Sequence, residues 1–245
     1  MKRILSILLV LLFLTSGAHA DFFSWNLQFG SQIRDFRDSP VFDSADIVAV
    51  YYGTLEDDDN PGWGSNSTAQ ATSWYQETLN TATRGATRAF PTEYLIVAES
   101  ATVTIYDATD PDLPMWMVFN QASSYMAGSP DYTVGVEMLN GELVICSESS
   151  FTSTCVIAIN FVTDSCFKYS SYIASSGNWA GNISQRNTVL SVDGTGELIV
   201  NPYVNDIALT LLDDADTDPA TGMRYVTIAC ATDGGVSVID DPTGS

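Results

Sequence analysis

Three acidic residues stand at equivalent places in this chain, and carboxylates are its best candidates for chemistry. Glu99, Glu148 and Asp233 each follow an apolar run with the composition of a β-strand. Three carboxylates held close together could bind a hard cation such as calcium through their oxygens. Two of them could act as an acid and a base or nucleophile on a glycosidic bond. Because Asp and Glu also suit tight turns, we favour the simpler interpretation that they are turn residues.

Histidine chemistry is excluded from most of the chain, because the one histidine, His19, lies near the N-terminus. Residues 1–20 have the layout of a secretory signal peptide, with a basic start, an apolar run over residues 4–14 and a small-residue cleavage site before Asp21. That run is too short for a membrane span. We therefore expect a secreted protein, extracellular or, in a bacterium, periplasmic. Its mature form would have no Ser-His-Asp triad and no histidine metal ligand.

The predicted mature chain is strongly acidic. Of the nine Lys and Arg residues, cleavage would remove Lys2 and Arg3, leaving seven against 30 Asp and Glu, a net charge of −23. Such a surface repels phosphate backbones and anionic membranes, so we expect neither nucleic acid nor a membrane as a partner. Solubility, or adaptation to a salty medium, explains this charge better than a specific cationic partner does.

The three acidic residues belong to a repeated β unit. Residues 97–107, 143–160 and 228–240 each contain an apolar strand, an acidic turn and a second strand that ends in Asp or Asn. A repeated unit of this kind indicates a repeat architecture. We predict an all-β fold, a partial or open β-propeller of about three blades with an irregular N-terminal segment. The expected organisation is a signal peptide over 1–20, an N-terminal segment over 21–93 and blade repeats over 94–245.

Individual strands follow from apolar runs bounded by turn residues. The first blade is predicted to have three strands, the second four and the third three, over residues 94–98, 102–107, 115–119, 132–138, 142–147, 155–163, 166–172, 206–212, 225–231 and 236–240. Asn140-Gly141 predicts a tight hairpin turn. Residues 47–52 form a short β run, residues 55–68 a loop, and residues 69–83 are the one possible helix.

Two stretches resemble known propellers. Residues 204–208 and 227–239, which read Asn-Asp-Ile and then Ala-Thr-Asp-Gly-Gly-Val, resemble the blade repeat of two-component-regulator-type propellers. Residues 103–119 are similar to uncharacterised secreted or phage-associated propeller proteins from marine sources. In such a fold Glu99, Glu148 and Asp233 would lie on the face that usually binds ligands. Closed propellers need about four to eight blades, so we expect either that this chain is a fragment of a longer propeller or that the remaining blades come from elsewhere. The unpaired edge of the third blade also favours self-association.

The four cysteines allow two interpretations. An even number in a secreted chain permits disulfides, and Cys146 and Cys155, on neighbouring strands of one blade, could pair. Cys146 and Cys230 nevertheless occupy the same position in two repeats, inside apolar strands, where a cysteine also serves as a small buried hydrophobic residue.

Several loop residues could bind ligands or carry modifications. Trp63 and Trp179 lie in loops rich in Gly, Asn and Ser, where they could stack on sugars, whereas Trp116 lies in an apolar strand and is expected in the core. Asn66 and Asn182 match the N-glycosylation acceptor. Acidic residues occupy every second position over residues 214–218, as they do in calcium-binding loops, but Pro219 stands where such a loop needs Gly. We expect a solvated acidic loop there.

The function that these observations favour is a secreted, non-catalytic binding or structural module that recognises a glycan or a protein surface. The alternative is a carboxylate-based glycoside hydrolase or lyase that uses Glu99, Glu148 or Asp233. No cofactor is expected. Calcium is the one ion that the acidic turns could hold.

Overall fold

A computed structural model describes residues 26–29, 32–35, 47–65, 67–99, 102–120, 126, 133–147 and 156–240. The predicted signal peptide lies outside these residues. The chain divides into two units, residues 1–43 and 44–245. In the first unit, strands β1 (Asn26–Phe29) and β2 (Gln32–Asp35) form an antiparallel hairpin. Among the described residues, no helix has the length and apolar composition that crossing a bilayer requires.

The first sheet of the second unit has four antiparallel strands, one more than predicted. Its order is β3 (Ile47–Thr54), β4 (Glu93–Glu99), β5 (Thr102–Asp107) and β6 (Met115–Asn120). The last three match the predicted first blade. The short β run at residues 47–52 proves to be the first strand of this sheet, although about forty residues separate it from β4 in the chain.

The second sheet has five strands and the third has three. The second consists of β7 (Thr133–Leu139), β8 (Glu142–Ser147), β9 (Val156–Asn160), β10 (Ser165–Tyr169) and the short β11 (Gly177–Asn178). The third consists of β12 (Val204–Thr210), β13 (Thr227–Thr232) and β14 (Gly235–Ile239). Asn140 and Gly141 both have positive φ, 51° and 74°, as the predicted tight hairpin turn between β7 and β8 requires.

The second sheet is buried on both faces because it packs between the other two. Side chains alternate between the two faces of a strand. Along β8, Leu143 and Ile145 join an apolar cluster with the first sheet, whereas Val144 and Cys146 join a cluster with the third. All six residues of β8 are therefore buried, which explains its unbroken apolar sequence.

The first strands of the three sheets lie next to one another. β7 contacts β3 on one side and β12 on the other. In the described residues the three antiparallel sheets do not close into a ring. The fold is thus all-β, with the open, propeller-like arrangement of about three blades that the repeats predict.

Buried tryptophans, and not a long helix, organise the connection between β3 and β4. The one possible helix, expected within residues 69–83, is shorter than that range: α1 (Ser67–Ala71) is a single turn, and turns and bends follow it. Trp74 donates its Nε1–H to the carbonyl of Phe161, 2.8 Å away, and its ring packs edge-on against Trp116. The indole of Trp116 in turn donates to the carbonyl of Ala89 at 2.9 Å. These rings anchor the connection to the first and second sheets.

Two buried arginines share one carboxylate at the outer edge of the first sheet. Arg84 and Arg186 are 1% and 2% exposed. Glu77 lies 3.5 Å from Nε of Arg84 and accepts a hydrogen bond from Nη1 of Arg186. Arg84 also stacks over the ring of Trp116, 4.2 Å from its centroid, and Arg186 donates to the carbonyls of Val118 and Thr83. This Glu77 cluster joins the β3–β4 connection to β6.

Candidate binding cleft

Two of the three acidic residues nominated from the repeats, Glu99 and Asp233, lie in the described part of the chain. At the end of β4, Oε2 of Glu99 accepts a hydrogen bond from the hydroxyl of Thr102 across the turn, 3.1 Å away. In the β13–β14 turn, Oδ1 of Asp233 accepts one from Nδ2 of Asn205 at 3.0 Å. Glu148 lies outside the described residues. Glu99 thus has the contact of a turn residue, whereas Asp233 is hydrogen-bonded to a residue of the neighbouring strand β12. Ligand binding by these three residues stays a prediction.

The two tryptophans proposed as sugar platforms are in the core. Trp63 is 1% exposed and Trp179 4% exposed. Stacking on a sugar needs an open ring face, and neither ring provides one. Trp63 packs instead against Phe90 and Phe161 and donates its Nε1–H to Asp58. Trp116 is buried, as its strand predicted.

Of the residues predicted to carry a disulfide or a glycan, the structure describes Cys146 and Asn182 but not Cys155 and Asn66. Cys146, Cys166 and Cys230 are buried thiols in this structure. Cys155 lies outside the described residues, so its bond to Cys146 stays a prediction. Asn66 is also outside them. Asn182 precedes a short 3-10 turn over Ile183–Gln185, and its Oδ1 accepts a hydrogen bond from the hydroxyl of Ser184 at 2.7 Å. Glycosylation at Asn66 and Asn182 stays a prediction.

A cleft of about 230 Å³ opens between the second sheet and the segment that leads into β13. One wall comes from β8 to β11 and their turns, and the other from residues 218–226. Its lining combines carboxylate, amide and hydroxyl groups with two aromatic rings, and consists of Asn140, Glu142, Ala158, Asn160, Val162, Thr163, Ser165, Cys166, Phe167, Asn178, Asp218, Thr221, Met223, Arg224, Tyr225 and Val226.

A network centred on Asn140 holds one end of the cleft. The backbone N–H of Asn140 donates to Oδ1 of Asp58 at 2.6 Å, and its side-chain amide donates to Oδ2 of Asp59 and to the carbonyl of Arg224. Arg224 forms a bidentate ion pair with Asp59, in which Nε lies 3.1 Å from Oδ2 of Asp59 and Nη2 lies 2.9 Å from Oδ1. The hairpin turn, the β3–β4 connection and the β12–β13 connection therefore meet at Asn140.

Two neighbouring carboxyls in this network have opposite pKa shifts. Hydrogen bonds from Arg224 lower the pKa of Asp59 to about 2. Burial raises the pKa of Asp58 to about 6, although it accepts hydrogen bonds from Trp63 and Asn140 that lower it. Asp59 is thus ionised at any ordinary pH. Asp58 changes charge near pH 6.

The second wall is shaped by a turn that Asp218 closes. Oδ1 of Asp218 accepts the N–H of Ala220 at 2.9 Å, and its Oδ2 accepts the hydroxyl of Thr221 at 2.8 Å. Gly222, with φ of 76°, completes the turn. The alternating acids of residues 214–218 thus end in a capped turn beside the cleft. In the described part of the chain, no group of three or more His, Cys, Asp or Glu side chains could hold a metal ion.

No protein-family model, curated protein or solved structure matches this chain. Neither Glu142 nor Arg224 was predicted as a site residue, because the neighbouring residues in the sequence do not indicate that these two side chains line one cleft. Asp218 was predicted only as a member of an acidic loop.

A buried carboxyl also lies between the second and third sheets. Oε2 of Glu137, on β7, accepts a hydrogen bond from the backbone N–H of Leu209, on β12, at 2.9 Å. Burial raises the pKa of Glu137 to about 7; the Leu209 hydrogen bond lowers it, and nearby Asp206 adds to the rise. This carboxyl therefore changes charge near neutral pH, at the contact between two sheets.

Proposed function

We propose that this chain is a secreted, non-catalytic binding module of the propeller type whose cleft holds one sugar-sized unit of a glycan. The observation that carries the proposal is the lining of the cleft. Its amides and hydroxyls both donate and accept hydrogen bonds, as sugar hydroxyls do. Tyr225, which is only partly buried, supplies aromatic surface for the apolar face of a sugar ring. The proposal of secretion is supported by the signal-peptide layout of residues 1–20. The propeller type is supported by the resemblance of residues 204–208 and 227–239 to propeller blade repeats.

The size of the cleft favours a small group. Pockets for drug-sized ligands have volumes of about 300–1,000 Å³, and this cleft, at about 230 Å³, is smaller. Several lining groups are held in place by neighbours, such as the Thr163 hydroxyl, 2.7 Å from that of Ser165. A positioned set of polar groups binds with less loss of side-chain entropy than a mobile one.

A second candidate function follows from two carboxylates in the same cleft. Glu142 lies on the sheet wall and Asp218 on the opposite wall. Glycoside hydrolases work with a pair of carboxyl groups that flank the scissile bond. If the chain cleaves a glycan, we propose Glu142 and Asp218 as the pair, in place of Glu99, Glu148 and Asp233.

Removing an aromatic side chain from the cleft is expected to weaken glycan binding. We expect Tyr225→Ala to raise the dissociation constant at least tenfold, about 1.4 kcal/mol, for the glycan that the wild-type chain binds best. Calorimetric titration against a panel of soluble polysaccharides measures this. Tyr172→Ala is the matched control, because Tyr172 is 51% exposed and does not line the cleft.

Equal affinity of the Tyr225→Ala chain and the wild-type chain, or no binding to any member of the panel, would contradict the proposal. The hydrolase candidate is tested on the same panel by the release of reducing ends. Release by the wild-type chain that Asp218→Asn abolishes would establish that candidate instead.

A further inference from the structure

Gly135 brings the second and third sheets into close contact beside Cys146. A Cβ atom on Gly135 would lie 3.1 Å from Sγ of Cys146 and 3.6 Å from Cγ1 of Ile207, on the facing strand. Gly135 is the register partner of Cys146 in the β7–β8 pair. The absence of a side chain at Gly135 therefore lets the sulfur of Cys146 approach the third sheet.

Cys230 stands on the facing surface beside Ile207. The two are register partners in the β12–β13 pair. Directly opposed residues of antiparallel strands project to the same face, with Cβ atoms about 4.5–5.5 Å apart. Cys146, Ile207 and Cys230 are all buried in the cluster between the second and third sheets. Their closeness is also reflected in the ionisation of Cys146: burial is the main cause of its raised pKa, and Cys230 raises it further.

We propose that Cys146 and Cys230 form a disulfide between the second and third sheets when the chain folds in an oxidising medium. Each thiol loses its hydrogen, a sulfur–sulfur bond forms, and a small disulfide such as oxidised glutathione is reduced to two thiols. The structure holds both cysteines in the reduced form, and burial raises the pKa of Cys146, which makes its thiol unreactive in the folded protein. The bond must therefore form before the two sheets close over it.

Cys166 is excluded as the partner of Cys230 by the face on which it lies. Cys166, on β10, belongs to the cluster between the first and second sheets, and its Sγ lies 3.9 Å from the carbonyl of Met126. The second sheet separates it from Cys230. The proposed pair also replaces the Cys146–Cys155 bond expected from the sequence, because Cys146 can form one disulfide only. The proposal is independent of what the cleft binds.

The test uses a chain with Cys155→Ser and Cys166→Ser, in which Cys146 and Cys230 are the only cysteines. It is refolded in a buffer of reduced and oxidised glutathione. We expect its mass to fall by two hydrogens and its titratable thiols in denaturant to fall from two to none. Trypsin should then release a linked pair of peptides, residues 89–168 and 225–245, that reduction separates.

The wild-type chain, refolded in the same buffer, gives a second measurement that does not depend on the substitutions. It should yield the same linked peptides. Two titratable thiols in the double variant after oxidation, glutathione adducts on both in place of the link, or a wild-type bond confined to the 89–168 peptide would each overturn the proposal. Adding Cys230→Ser to the double variant should abolish the linked pair.

Discussion

Replacing Glu77 by glutamine is expected to lower the free energy of unfolding by about 3–5 kcal/mol, the cost of leaving a buried charge without its partner. Arg84 and Arg186 are both almost fully buried, and Glu77 is the carboxylate that contacts both. Burial lowers the pKa of Arg84 only to about 10, and the Glu77 charge opposes that fall. Guanidinium groups keep their proton in proteins, so both arginines are charged at neutral pH, and a neutral amide in place of the carboxylate would leave two positive charges without their shared partner.

Urea unfolding at pH 7, with linear extrapolation to zero urea, measures this loss. Glu197→Gln is the matched control, because Glu197 is exposed, and it should change stability by no more than about 0.5 kcal/mol. A loss below about 1 kcal/mol for Glu77→Gln would show that solvent reaches the arginines in solution. It would contradict the buried geometry of the cluster.

Glu137→Gln is expected to stabilise the protein above neutral pH. The pKa of Glu137 is about 7 in the folded chain, against 4.5 for the unperturbed group. The folded state therefore holds a proton that the unfolded state loses, so stability falls as the pH rises from about 4.5 to 7. A shift of this size corresponds to ~3 kcal/mol at pH 8. Glutamine keeps an oxygen that can accept the N–H of Leu209 but has no charge to desolvate.

Urea unfolding at pH 4.5 and pH 8 tests this expectation. At pH 4.5 the variant and the wild-type chain should be about equally stable, and at pH 8 the variant should be more stable. Asp58 should also contribute to the pH dependence of stability, because its pKa is raised to about 6 and stability therefore falls as the pH rises to about 6. The lowered pKa of Asp59 should reduce stability only in acid, where this carboxylate becomes protonated. A variant that is less stable than wild type at pH 8 would show that the Leu209 hydrogen bond to the carboxylate outweighs its burial.

Local signals allowed much of the β structure to be predicted. Strand β8 was predicted with its observed bounds, and Asn140-Gly141 was predicted as the turn before it. The strand and the turn could both be predicted because each is determined by residues next to one another in the sequence. The pairing of β3 with β4 could not be predicted in the same way, because a connection of about forty residues separates the two strands and nothing in their composition specifies the partner.

The environment of loop residues was harder to predict. The sequence around Trp63 and Trp179 is rich in Gly, Asn and Ser, which indicates a turn but not its burial, and both rings proved to be in the core. The residues that line the cleft were difficult to predict for a related reason. Glu142 and Asp218 are far apart in the chain, and they line the same cleft only because the chain folds residues 218–226 against the second sheet.

The long connection between β3 and β4 implies an order of folding. The hairpin of β7 and β8 closes a two-residue turn, whereas β3 must find β4 across a loop about forty residues long, and closing a longer loop costs more chain entropy. Trp74 completes its hydrogen bond only when Phe161, 87 residues away in numbering, is in place. We expect the second sheet to form early and to serve as the template on which the first sheet is completed, so that this chain folds slowly for its size.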